Sequence, residues 1–453
     1  MCGFSIEGPM APVASDRMAH RGLKKTELQV GKFKLTHFKL PFQTTLDDDF
    51  TQPIDLGDGS YLLYNGEIFN VPRGFKNDVD YLTHVFSKSD WIETIDVVSL
   101  GWDGFWAIAI AGPFGYYCFT DPLGKKQLYQ SMDSLSSEIK PLLKEGYELN
   151  KDYQIDSEFL EDTPFVGIKR IIPNRLYYYF TENLISPLSS VSLGDCFPVT
   201  KSAHYISSTL RQKMKDAVVS RLINKGGSIS VLVSGGLDST IIVSILHELY
   251  LDGRLDLKAI DFLTIENGDD ERYIKIVESY YGIEVRRIRI PEFIDFDDQI
   301  KEILKAYEHP IDLGSLIPQY YLCKKAKGNV IITGDGADEL FSGYNRAYES
   351  DTQNYDVFTE LPFYHNIRLD RMSMIFSKEI RSPFMGLEVI KEALKIPYDQ
   401  RIGKRVLKLS YYLDVPMSII TRTKSPLRLS EYGMDKEQYK KRIKELFSTI
   451  KFI

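Results

Sequence analysis

The run VLVSGGLDST at 231–240 constrains this chain more than any other ten residues: an apolar strand empties into a Ser/Gly loop that opens an amphipathic helix. Two adjacent glycines let the backbone turn tightly and bring N–H groups close to an anion. Ser234 and Ser239 add hydroxyl donors, and the positive end of the helix starting near Asp238 points at the same place. Such a loop wraps phosphate. Asp238 is at odds with that, since a carboxylate repels phosphate; a bound Mg²⁺ resolves the conflict by bridging both kinds of oxygen. A bare Gly-Gly pair is usually only a tight strand-to-helix turn, whereas the full string after an apolar strand points to a nucleotide.

At 453 residues the chain exceeds what one core usually supports, so two domains are expected. A formal net charge of −7 argues against a nucleic-acid surface, which normally carries a basic excess. The longest apolar stretch, 105–119, is interrupted by Gly112, Pro113 and Gly115 and reads as a buried β-hairpin rather than a membrane span. The chain opens without a basic-then-apolar leader. Cys2, Cys118, Cys196 and Cys323 form no CxxC pair, which disfavours structural zinc and a disulfide framework and fits a reducing cytoplasm.

Short strands at 35–41, 59–64, 106–111, 115–120 and 175–180 fill the first part, with helices only near 79–87 and 92–101. That pattern suggests sheets packed on sheets with helices outside. The Ser-rich segment 186–203 lacks periodicity and is the expected linker between a first domain at 2–185 and a second at 204–453. Beyond it helix and apolar strand alternate: helix 205–224, strand 228–233, helix 239–251, strand 257–264, helix 270–281, strand 284–290, helices 297–307 and 318–327, strand 329–333. This order implies a parallel sheet with right-handed crossovers and ligands at the carboxyl ends of its strands, where Ser234 lies.

A second loop, IITGDGADEL at 331–340, follows another apolar strand. Together the two strings resemble the PP-loop ATP-pyrophosphatase domain of asparagine synthetases. EHPID at 308–312, DRMSM at 370–374, EIRSPF at 379–384 and RTK at 422–424 are similar to further strings of that family. The resemblance implies an adenine nucleotide α hydrolase-like domain with C-terminal helices. ATP would bind at Leu232, Ser234, Gly235, Gly236, Asp238, Ser239, Thr333, Gly334, Asp335 and Lys424, with Mg²⁺ on Asp238 and Asp312. By the same resemblance Lys424 clamps the departing phosphates, and Glu308 takes a proton from ammonia as it attacks an acyl adenylate. Taken alone, each of these side chains is more often a solvated surface group.

The chain begins MCGFSI, and loss of Met1 would leave Cys2 with a free α-amine suited to take its thiol proton. A cysteine at position two is weak evidence by itself. Here it precedes HRG at 20–22, NGEIFN at 65–70, Asp78 and DPLG at 121–124, which resemble strings of class II glutamine amidotransferase domains with an N-terminal-nucleophile αββα sandwich. The resemblance implies that Arg21 holds the glutamine α-carboxylate and Asp78 its α-ammonium. Asn65 and Gly66 would donate to the oxyanion, and Glu67 would help hold the amide end.

The order of strings is that of glutamine-hydrolysing asparagine synthetase, which implies glutamine, ATP and a carboxylate acceptor as partners, aspartate by default, with a homodimer allowed for and neither nucleic acid nor membrane. Several positions depart from the family pattern. Leu23-Lys24 follows HRG where Pro-Asp is usual, Asn77 precedes Asp78 in place of Ser, Thr120 replaces Arg before Asp121, and Met385-Gly386 follows Pro383-Phe384 in place of Leu-Asp. The departures in the second half concern the acceptor side. The same chemistry on a uronic-acid sugar, a peptide or a specialised metabolite is therefore the alternative; tRNA modification by a PP-loop enzyme and a catalytically silent scaffold are further ones.

Overall fold

The computed structural model describes residues 2–40, 50–153, 161–180, 203–224, 227–266, 268–291, 296–310, 313–423 and 436–453. The expected linker, Asp312 and Lys424 lie outside the described residues, apart from Ala203 at the linker's end.

Residues 2–180 form two antiparallel sheets. The first contains β1 (Cys2–Glu7), β2 (Lys24–Val30), β3 (Phe33–Lys39), β8 (Tyr129–Ser131), β9 (Ser134–Ser136) and β10 (Lys169–Arg170), in the order β10-β8-β9-β1-β3-β2. The second contains β4 (Ile54–Asp55), β5 (Tyr61–Ile68), β6 (Gly104–Ala111), β7 (Gly115–Thr120) and β11 (Tyr177–Phe180), in the order β11-β7-β6-β5-β4. β6 and β7 are the hairpin expected from 105–119. Side chains alternate between faces along each strand. On one side Phe4, Ile6, Phe33, Leu35, Leu63, Ala107 and Ala109 fill the space between the sheets. On the other, Leu62, Tyr64, Trp106, Ile108 and Ile110 pack on helices α1 (Asp78–Phe86) and α2 (Trp91–Ser99).

Helices α1 and α2 thus lie outside the second sheet. Against the far face of the first sheet lie the short 3₁₀ helix Ser15–Arg21 and elements of the second half: Tyr129 and Ile139 share a hydrophobic cluster with Tyr307, Leu316 and Phe447. The two halves thus share that cluster.

The second half begins with α3 (Ala203–Arg221) and is organised around a parallel sheet of β12 (Ile229–Leu232), β13 (Ile260–Ile265), β14 (Val285–Ile288), β15 (Val330–Ile332) and β16 (Glu379–Arg381), in the order β14-β13-β12-β15-β16. Helices α4 (Leu237–Leu251) and α5 (Gly268–Tyr281) pack with α3 on one face; α6 (Phe296–Tyr307) and α7 (Leu313–Lys325) cover the other. Burial on both faces explains why these strands read as continuous apolar runs. Among the described residues no helix is long and apolar enough to cross a membrane.

Candidate functional site

β12 and β15 are parallel neighbours, yet the chain leaves β12 toward β13 and returns on its other side. Such a reversal of strand order opens a crevice at the carboxyl ends, where α/β sheets bind ligands. The loop 233–236 and the loop 333–336 meet there. A Cβ on Gly334 would come within 3.0 Å of Asp238 Cβ and 3.1 Å of Ser239 N, so the second loop rests closely on the first turn of α4 and a side chain there would crowd it. Gly235 (φ +64°) and Gly336 (φ +92°) occupy the left-handed region that a side chain disfavours. Ser239 Oγ accepts the Ser234 N–H at 3.1 Å and lies 3.0 Å from Ser234 Oγ, fixing the first loop.

A cleft of about 570 Å³ opens beside these loops, lined by Leu232, Ser234, Gly236, Asp238, Ser239, Thr333, Gly334 and Asp335. Gly235 lies within the same loop. Asp335 is fixed by the Thr333 hydroxyl and by Arg368, whose Nη2 donates at 2.8 Å. Arg422 stacks 4.0 Å above the Tyr273 ring, pairs with Asp270, and donates to the Gly235 carbonyl at 2.9 Å.

The cation that sequence reasoning missed is Lys404. Its ammonium lies 2.5 Å from Asp238 Oδ2 and 2.7 Å from Asp338 Oδ1. Burial works against the charge, but the two carboxylates outweigh it and raise the Lys404 pKa above its ordinary value. The pocket is tight: a Cβ on Gly343 would strike both Asp338 Oδ1 and Lys404 Cε. The signal in the sequence was faint, a Gly403-Lys404 pair whose two residues both turn left-handed, and it matches no string quoted above.

Among the described residues no group of three or more His, Cys, Asp or Glu side chains could hold a metal by itself. Asp238 and Asp338 nevertheless converge on one cation, and Mg²⁺ characteristically takes one or two carboxylates and completes its shell with phosphate oxygens and water. The pair fits that donor set.

In the first half, Cys2 pairs across the sheet with Lys39, so both side chains project from one face, into the space between the sheets. From the facing sheet Asn65 Oδ1 accepts the Cys2 N–H at 3.1 Å, while Asn65 Nδ2 is buried with no hydrogen-bond partner. An unused buried amide donor beside a thiol is what an oxyanion requires. Gly66 is sterically obligatory, because a Cβ there would lie 2.1 Å from the Phe105 carbonyl oxygen. Glu67 shares the Asn65 face of β5; burial first, and then the Glu379 carboxylate, push its pKa up to about 8. Asp78 opens α1 and accepts from Tyr64 Oη (2.8 Å), Ile68 N (3.2 Å) and Val79 N (3.0 Å). Burial still raises its pKa. Asn77 caps that helix, accepting the Asp80 N–H at 2.9 Å, which is the office a Ser would fill.

Two predicted site residues lie elsewhere. Arg21 packs on Gly3, whose missing side chain makes room for it, on the face of β1 opposite the Cys2 thiol. It is wholly buried and donates to Glu138 (2.5 Å) and to Asp370 of the other half. Arg21, expected to hold the glutamine α-carboxylate, thus sits at the interface between the halves, and Lys39 is a cation sharing the thiol's face. Glu308, expected to take a proton from ammonia, is the second. It does not line the cleft: fully buried, with φ +66°, it accepts the main-chain N–H groups of Ile139 (3.0 Å) and Lys140 (2.7 Å) and pairs with Arg371. Both side chains tie the halves together.

Between the two places runs a polar seam. Glu67 lies within electrostatic reach of Glu379, which pairs with Arg381; Lys126, 2.5 Å from Asp370, also feels Glu379. Lys126, Asp370, Ser373 and Ser382 line a small cavity, and Ser382 Oγ donates to the carbonyl of Asp335, at the cleft. Arg21 Nη1, Glu379 Oε2 and Arg381 Nη2 are buried along this seam without hydrogen-bond partners, in places where native proteins satisfy nearly every such group.

A mixed α/β chain that joins two facing antiparallel sheets to a doubly covered parallel sheet with a crevice at its switch point is thereby defined. The family model described as asparagine synthase matches residues 209–369 and 351–451, more than half of the chain. The chain belongs to the asparagine synthase family. It is 23% identical over 378 residues to "Asparagine synthetase [glutamine-hydrolyzing]" of Gallus gallus, covering 76% of this chain and 66% of that protein. It is 24% identical over 328 residues to "Asparagine synthetase [glutamine-hydrolyzing] 1" of Bacillus subtilis (strain 168), covering 65% of this chain and 49% of that protein. The chain thus spans less than two thirds of the length of either relative. A solved structure titled "Structure of the allosteric regulatory enzyme of purine biosynthesis" overlaps 64% of this chain at 11% identity with a TM-score of 0.33, too loose a match to inform fold or function.

Proposed function

We propose that this chain is a glutamine-dependent, ATP-driven amide synthetase, with a glutaminase domain at 2–185 of the N-terminal-nucleophile type and a synthetase domain at 204–453. The observation that carries the reading is the Asp238–Lys404–Asp338 cluster at the junction of two glycine loops, joined through a buried polar seam to a cysteine beside an unused amide donor. Neither place alone calls for the other, but a synthetase that consumes ammonia needs both.

In the first half, with Met1 removed, the Cys2 amine takes the thiol proton and the thiolate attacks the glutamine amide. Asn65 Nδ2 and the Gly66 N–H receive the oxyanion, Glu67 holds the amide end, and Asp78 receives the α-ammonium. Lys39, on the thiol's face, replaces Arg21 as the countercharge for the α-carboxylate. Ammonia then follows the seam past Glu379, Arg381 and Lys126.

In the second half the Ser234–Ser239 loop and the Thr333–Asp335 loop cradle ATP, and the acceptor carboxylate attacks the α-phosphate to give an acyl adenylate and pyrophosphate. Mg²⁺, when bound, would be held by Asp238 and Asp338 and would offset charge on the leaving phosphates. Lys404 contributes a point charge at the same end, the office first assigned to Lys424. Ammonia displaces AMP and leaves the amide. Glu308 serves as the clasp between the halves.

Aspartate is the default acceptor. A pyrophosphate-release screen with glutamine and a panel of carboxylates, aspartate first, tests the reading. Release dependent on one carboxylate supports it, and on a sugar acid or peptide changes only the acceptor; no release with any carboxylate, together with no ATP–pyrophosphate exchange, overturns the synthetase assignment.

A further inference from the structure

We propose that Phe69 is a positioning residue for glutamine: gripped from the other half of the chain by Arg221 and Arg381, it fixes the end of β5, so that the Ile68 N–H holds the Asp78 carboxylate where the glutamine α-ammonium docks. The inference rests on the glutaminase reading above and deepens it.

β5 carries Asn65, Gly66 and Glu67 and ends at Ile68, whose N–H donates to Asp78 Oδ2 at 3.2 Å. The Tyr64 hydroxyl donates to the same oxygen at 2.8 Å. Both donors belong to β5, so a shift at the end of that strand releases one of the two groups that aim the carboxylate. The next residue, Phe69, packs on the hydrophobic cluster of the second half, in which Leu40 and Phe105 are also buried. The guanidinium of Arg221, at the end of α3, lies 4.4 Å from the centre of the Phe69 ring, and that of Arg381, on β16, lies 5.2 Å from it. A guanidinium over an aromatic ring away from water holds that ring by electrostatic attraction as well as by packing. Neither cation is loose. Arg221 makes a bidentate pair with Asp103, both bonds at 2.5 Å, and Arg381 pairs with Glu379 and donates from Nη1 to the Arg221 carbonyl at 2.9 Å.

The main chain is seated in the same way. The Phe69 N–H donates to the Asp103 carbonyl at 2.7 Å, and the Asp103 N–H donates to Asn70 Oδ1 at 2.8 Å. Asp103 Oδ1 in turn accepts the N–H of Leu387, which opens the helix Leu387–Leu394, at 2.8 Å. The corner formed by residues 69–70 and 103 therefore rests on α3, β16 and that helix, all from the second half. Asn65 is held separately, opposite Ala107 on β6 and bonded to the Cys2 N–H. Loosening Phe69 should thus weaken capture of the α-ammonium and leave the oxyanion side intact, which is a change in KM and not in kcat.

The test is ammonia release by the full chain from glutamine and from glutaramate, which keeps the amide and the far carboxylate but has no α-ammonium; where glutaramate turns over too slowly, it serves as a competitor of glutamine. Phe69→Leu keeps an apolar side chain and removes the ring. It should raise the KM for glutamine about tenfold, the size of a lost hydrogen bond to a charged group, with kcat and the response to glutaramate unchanged. Arg221→Met should reproduce this from the other half. Equal losses on both substrates, which is what general loosening of the fold would give, overturn the proposal. So do wild-type discrimination in Phe69→Leu, its retention in Arg221→Met, and a wild type that does not distinguish the two amides. A wild type that releases no ammonia from glutamine overturns the glutaminase reading itself, and this inference with it.

Discussion

The Nε–H of Arg371 donates to Oε2 of Glu308 at 3.1 Å, with both side chains sealed from solvent and the Ile139 and Lys140 N–H groups closing on the same carboxylate. Removing one partner leaves an uncompensated buried charge, which costs about 3–5 kcal/mol. Arg371→Met should lower the denaturant midpoint accordingly, and the loss in Arg371→Met/Glu308→Gln should be smaller than the sum of the two single losses. Additive losses would show that the pair does not couple the halves.

Asn65→Ala removes the unused Nδ2 donor. Glutamate release should fall about 10²–10³-fold in kcat, the usual effect of losing one oxyanion donor. A steady-state glutaminase assay checks this, and an unchanged kcat would detach Asn65 from the oxyanion.

Lys404→Met strips the cation between Asp238 and Asp338. ATP–pyrophosphate exchange should be lost while glutamate release persists, since Lys404 lies in the cleft and not at the thiol. Exchange at the wild-type rate would show that the ammonium has no part in nucleotide chemistry.

Glu67 also predicts a pH dependence of stability. Its pKa is near 8 in the folded chain and near 4.5 unfolded, so between those values the folded state binds more protons. Stability from this group is present below about pH 4.5 and is lost as pH rises to 8. Glu67→Gln, which stays neutral, should flatten the fall in Tm between pH 5 and 8 relative to wild type; parallel Tm curves would contradict the assignment.

What was legible in the sequence follows the range of the interaction. The loop at Ser234–Ser239 and the seat of Asn65 depend on a few consecutive residues, and the strings themselves impose the turn and the strand. The α7 helix begins at Leu313 and carries Pro318 within it, where the proline had suggested a start. The surroundings of Arg21 and Glu308 are set by packing between halves more than a hundred residues apart: Arg21 meets Asp370, and Glu308 meets Ile139. No local string encodes that. β16 escaped notice because three residues carry no periodicity. Lys404 was missed for a third reason: its role comes from two carboxylates on separate loops, not from its neighbours.

The central claim is that one chain makes ammonia at Cys2 and spends it at the Asp238 cleft. Glutamate release and ATP–pyrophosphate exchange measured side by side on wild type and Cys2→Ala test it most directly. Cys2→Ala should lose glutamate release entirely and keep exchange at the wild-type rate, with free ammonia restoring amide formation on the acceptor found in the carboxylate screen. Glutamate release that survives Cys2→Ala, or exchange absent from wild type itself, would contradict it.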